Sequence, residues 1–148
     1  MPEQLLTSYS ASLFSGTTVA ASASGTGTTL PLADSYAFIL DVGTITGTSP
    51  TFDVCIQTSP DGGTTWYDWW RFAQVTAAGQ RRLIVQPIQG RGEAGSEAAI
   101  TSNGTGALNA NAPIQAAQAR VHIQVGGTSP SAATLKVWLI ASPRATQV

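Results

Sequence analysis

Charge is what this chain has least of. Only 10% of its 148 residues are charged, 7 Lys+Arg against 8 Asp+Glu, for a net charge of -1 at pH 7. The basic residues Arg71, Arg81, Arg82, Arg91, Arg120, Lys136 and Arg144 build no dense cationic face, so no nucleic acid partner is expected. One cysteine, Cys55, excludes an internal disulfide framework and a cysteine-based zinc site. No apolar run approaches the ~20 residues of a membrane helix, the longest being pieces such as 137–141, so no membrane partner is expected. The opening Met-Pro-Glu-Gln-Leu-Leu-Thr has an acid where a secretory signal carries lysine or arginine. A soluble protein made in the cytoplasm is the expectation, held together by core packing or oligomerisation rather than by staples.

What is present is small and β-prone. Ala, Gly, Ser and Thr make up nearly half of the chain, yet 43% of residues are apolar, which suits one folded domain over 1–148 rather than a disordered tail. A period of two dominates. Phe38, Leu40 and Val42 share one face, with Ile39 breaking the alternation; Phe52, Val54 and Ile56 alternate with Asp53, Cys55 and Gln57. Gly47-Thr48-Ser49-Pro50 lies between them and reads as the turn of a hairpin. In the C-terminal third, Val121, Ile123 and Val125, then Gly126-Gly127-Thr128-Ser129-Pro130, then Leu135, Val137 and Leu139 read as a second hairpin, with Lys136, Trp138 and Ile140 at the alternate positions. Residues 64–72 and 82–88 supply two further strands. The first 16 residues read as an arm or short strands. From Gln89 to Gln118 the chain turns to Gly, Ala, Asn and Gln, which predicts a long loop, with a short helix near 96–100 or 114–119. Paired antiparallel sheets follow from this pattern: an all-β sandwich or jelly roll.

Catalytic chemistry finds little footing. Cys55 and His122 both fall at polar positions of strands, so a cross-strand pair is open beside the simpler reading of a free thiol and a surface imidazole. The aspartates sit singly on turns and strand faces. Gly90-Arg91-Gly92-Glu93-Ala94-Gly95 spells a dinucleotide fingerprint, but no long apolar helix or acid follows at the required distance. Asn103-Gly104-Thr105 is a glycosylation sequon in letters only. No catalytic residue, cofactor or metal is expected.

Ser59-Pro60-Asp61-Gly62-Gly63-Thr64-Thr65-Trp66 resembles the Asp-box of sialidases and other propeller proteins. One copy cannot make a propeller, and the physics of the motif is a hairpin turn in which Asp61 binds backbone amides and a glycine takes positive φ. A wider resemblance takes in 38–42, 47–54, 57–66, Phe72, 75–79, Arg120, Val121 and 125–131, covering about half of the chain. These runs resemble small β-sandwich virion proteins of tailed bacteriophages, which decorate or cement the head, with related modules at the neck and tail.

That resemblance implies a capsid decoration protein on the head exterior, assembled in the host cytoplasm, with the major capsid protein and copies of itself as partners, most simply as a trimer. Tyr67 and Trp69 are expected on the outward face of strand 66–72, with Trp66 in the core. Arg91, Glu93, Asn103, Asn109, Asn111 and Gln115, on the long loop, are expected to supply polar contacts. The rival readings are a neck or tail component, a carbohydrate-binding β-sandwich using Trp69 or Tyr67 as a stacking platform, and a small Asp-box glycosidase.

Overall fold

The computed structural model describes residues 9–16, 18–31, 33–85 and 118–143. Seven strands run in chain order: β1 (Tyr9–Ser15), β2 (Ala23–Ser24), β3 (Thr28–Thr29), β4 (Ala33–Ser59), β5 (Tyr67–Arg71), β6 (Gly79–Val85) and β7 (Gln118–Pro143). No helix occurs among the described residues. All pairing is antiparallel, and the strands form one curled sheet, a half-barrel.

The two expected hairpins are not there. Residues 33–59 make one strand, and so do residues 118–143; they pair with each other over their whole length, from Ala33↔Pro143 to Ser59↔Gln118. The turn chemistry at 47–50 and 126–130 is real but bends the chain instead of reversing it. Ser49 (φ 48°) on β4 lies against Gly127 (φ 93°) on β7, Gly47 (φ 115°) stands two residues before Ser49, and Thr48 pairs with Thr128. Register shifts at Val42/Ile45, Thr46/Thr48 and Thr48/Thr51 absorb the slack, as bulges do, so the ladder resumes on the far side. At Gly127 a Cβ would run into the carbonyl oxygen of Ser49, so the close crossing of the two Gly-Thr-Ser-Pro segments needs glycine there.

The remaining strands lie on the flanks of this bent ribbon. β6 pairs with the first half of β4 (Tyr36↔Val85 to Val42↔Gly79) and β5 with the second half (Cys55↔Arg71 to Thr58↔Tyr67). Along the other edge, β1 pairs with 136–141 of β7, and β2 and β3 with its first residues. Residues 9–15 are therefore an edge strand, not a free arm.

Alternation decides which side is buried. Tyr36, Phe38, Leu40, Phe52, Val54 and Ile56 from β4, and Val121, Ile123, Leu135, Val137 and Leu139 from β7, are all fully buried on the inside of the curl. The curl brings Trp69 of β5 edge-on against Tyr36 and Phe38, at ring-centroid distances of 5.9 and 6.0 Å. These three rings tie the two halves of β4 together from within.

The expected faces of strand 66–72 are thereby reversed. Trp69 is 1% exposed and packs in the core, whereas Trp66 precedes β5 and is only half-buried. The cause is the irregularity opposite Ile56/Gln57: Ile56 pairs with Trp70 but Gln57 with Asp68, so Trp69 is the extra residue that turns inward. Trp69→Ala is expected to lower stability by about 3–5 kcal/mol, the scale for losing a buried large ring. Trp66→Ala should cost clearly less; chemical denaturation of the two variants against the parent measures both.

Candidate functional site

Two outward faces carry the chemistry of the described residues. The first lies on the half of the sheet built from 51–59 of β4, the start of β7 and β5. The Ser59-to-Trp66 segment is the expected turn joining β4 to β5. Asp61 accepts hydrogen bonds from the Thr65 amide (2.7 Å) and the Ser59 hydroxyl (2.9 Å), and Ser59 Oγ accepts from the Gly63 amide at 2.7 Å. Gly62 and Gly63 both take positive φ. These donors hold the exposed Asp61 carboxyl down at about 2, chiefly through its bonds from Thr65. The Trp66 indole donates to the Gly63 carbonyl (3.0 Å), and its ring stacks under the Arg120 guanidinium at 4.5 Å.

From there a chain of polar side chains crosses the strands. Arg120 Nε donates to Gln57 Oε1 (2.9 Å), Gln57 Nε2 donates to Asp68 Oδ1 (2.9 Å), and Arg71 closes an ion pair on Asp68 Oδ2. Gln57 and Asp68 are buried, so this network is linked structure rather than loose surface charge. The motif thus builds a turn and anchors it.

Cys55 and His122 are register partners across β4 and β7, as the strand reading allowed. They do not form a reactive pair. Burial, with the Asp68 charge adding to it, pushes the Cys55 thiol far above its ordinary range, so it stays protonated. His122 is shifted down, first by desolvation and then by the Arg120 charge, with Asp68 pulling weakly the other way. Its Nδ1 shares a 2.8 Å hydrogen bond with Ser24 Oγ of β2. A buried neutral thiol and a half-buried neutral imidazole replace the exposed pair expected from strand parity.

The second face is on the other half of the sheet, made of β6, the start of β4, the end of β7 and β1. The ladders place the outward residues in three rows: Ser10, Ile140, Ala37 and Ile84; Ser12, Trp138, Ile39 and Arg82; Ser15, Lys136, Asp41 and Gln80. Ile84 is 52% exposed and Trp138 39%, with Tyr9 the most exposed large apolar groups among the described residues. An apolar patch therefore sits in the middle of this sheet face, bordered by Arg82 on one side and by Asp41 and Lys136 on another. Asp41 and Lys136 face each other across the ladder, yet no ion pair between them is formed among the described residues.

The residues expected to meet a partner fall elsewhere. Tyr67 is half-buried in β5 opposite Thr58, and Trp69 is inside the core, which removes it as a stacking platform for sugar. Arg91, Glu93, Asn103, Asn109, Asn111 and Gln115 lie outside the described residues, as do the Gly90-to-Gly95 motif, the Asn103 sequon and the helix expected near 96–100; Gln118 and Ala119 begin β7. The apolar face was missed. Its signal was present in Ile39, Trp138 and Ile140, apolar residues at positions whose parity points away from the core.

No family model, curated protein or solved structure matches this chain.

The His122 environment sets a pH dependence. The unfolded chain takes up a proton near 6.5, while the folded chain resists it because the charged ring would be desolvated beside Arg120. Stability supplied by neutral His122 is therefore complete above 6.5 and is lost as pH falls below it. Melting curves between pH 8 and pH 5 are expected to show this decline, and His122→Gln to flatten it; equal slopes for both proteins would remove His122 as the cause.

Proposed function

We propose that this protein is a structural component of a tailed-phage virion, a decoration protein that binds the major capsid protein on the outside of the head and associates with further copies of itself. The observation that carries the reading is the bent β4–β7 ribbon. A long antiparallel ribbon folded over on itself, with flanking strands on both edges, is how a jelly-roll sandwich is wound, and that architecture is frequent among capsid proteins. On this reading the two halves of the curled sheet act as the two layers, with Trp69, Tyr36 and Phe38 at their contact.

Other features support the same role. The low charge suits attachment through shape and uncharged hydrogen bonds at many repeated sites, where avidity adds up without strong fields. The Asp61 carboxylate is taken up by the Thr65 amide and the Ser59 hydroxyl of its own turn, which favours a scaffold over a glycosidase. The mechanism is mechanical: a rigid module bridges neighbouring shell subunits, and binding the assembled state stabilises it by mass action.

The segment between β6 and β7 is the proposed docking element. It leaves the sheet at Val85, beside Tyr36, and returns at Gln118, beside Ser59, so it joins the two ends of β4. Arg91 and Glu93 supply one pair of opposite charges, while Asn103, Asn109, Asn111 and Gln115 supply uncharged donors and acceptors. Replacing 92–112 with a short Gly-Ser linker is expected to leave the melting transition cooperative and to abolish co-sedimentation with heads assembled without the protein. Undiminished binding by that variant would move the contact to the sheet. Parent protein that binds tails and not heads would make it a neck or tail component instead.

A further inference from the structure

We infer that the outward face around Trp138 is a contact between two copies of this chain, related by a two-fold axis that runs along the strands between β4 and β7. The proposal goes beyond the virion reading and does not depend on it: the pairing belongs to the free protein.

Size alone does not make this case. Four strands about 4.8 Å apart and three outward positions about 7 Å apart give a face of roughly 400 Å², within the range that monomers leave exposed. What singles the face out is the set of groups that a two-fold axis brings together on it. A rotation of 180° about the stated axis keeps each row in place and exchanges the two central strands. Every β7 residue then lies over its own β4 register partner in the other copy.

Trp138 covers Ile39 of the second copy, Ile140 covers Ala37, and Lys136 covers Asp41, each contact occurring twice as an isologous interface requires. Arg82 falls over Ser12, so no like charges oppose each other. Turning the copy about an axis perpendicular to the strands would instead set Lys136 on Ile140 and Asp41 on Ala37, leaving both charges on apolar ground.

Asp41 and Lys136, adjacent but not ion-paired within one chain, are the groups that the second copy satisfies. Aligned packing of two twisted sheets at about 30° keeps such central rows in register. With less than the roughly 800 Å² per partner of a standard interface, the pairing is expected to be weak and concentration-dependent. The resemblance to phage decoration proteins implies a trimer; this face specifies a pair.

The test is sedimentation velocity of the full chain over a concentration series, with charge-reversed variants. The parent is expected to move from its chain mass of 15.2 kDa towards twice that value. Asp41→Lys and Lys136→Asp each place like charges across the axis and should remain at the chain mass. Mixing the two single variants should restore the double-mass species, because each then meets the opposite charge on its partner, an effect no interaction within one chain can produce.

Melting curves identify any variant that fails to fold, and Trp138→Ser, at an exposed position, serves as a second disruption and should also abolish pairing. A parent that stays at the chain mass throughout, a three-copy species, a pair indifferent to both reversals, or a mixture that does not re-associate would each overturn the proposal.

Discussion

The ladder between β4 and β7 is the constraint on which every other part of this fold depends. Each of the other five strands takes its hydrogen bonds from one of these two. The ladder also sets parity: a residue buried inside the curl on β4 faces a buried residue on β7, as Phe38 faces Leu139 and Val54 faces Ile123. A one-residue slip would send the apolar set of the slipped strand to solvent. The bend at Thr48↔Thr128 then turns one flat ribbon into a surface with an inside. Its bulges are paid for by the packing of Trp69 against Tyr36 and Phe38, which exists only because the ribbon folds back.

The two halves of that ribbon present different outsides. Around Gln57 the outward positions are filled by a buried hydrogen-bonded network that links Arg120, Asp68 and Arg71. Around Ile39 they hold apolar groups and a facing acid and base. A hydrogen-bonded polar network and an apolar patch are thus separated along a single pair of strands.

Strand content was legible because it is local. Alternation located the inward residues of β4 and β7, and the chemistry of Ser59 to Trp66 specified its turn down to the glycines with positive φ. What failed was everything decided by a distant partner. Gly-Thr-Ser-Pro looks the same whether the chain reverses or merely bends; the difference is made by the second copy of that tetrapeptide lying opposite the first, about 80 residues away. Trp69 and Trp66 exchanged roles for the same reason, since the bulge that turns Trp69 inward depends on how β5 meets Ile56 and Gln57. The apolar face at Trp138 was visible residue by residue, but four separate strands must come together before it is a surface.

The pairing pattern also governs how this chain can be made. The pair closest in sequence along the ladder is Ser59↔Gln118, and the outermost, Ala33↔Pro143, needs the last described residue. Closing such loops precedes any reward from the contacts they bring, so folding of this topology is slow compared with helical domains of equal length. On a ribosome, the apolar positions of β4 emerge long before β7 exists to cover them. Until β7 emerges, β4 has only β5 and β6 to pair with.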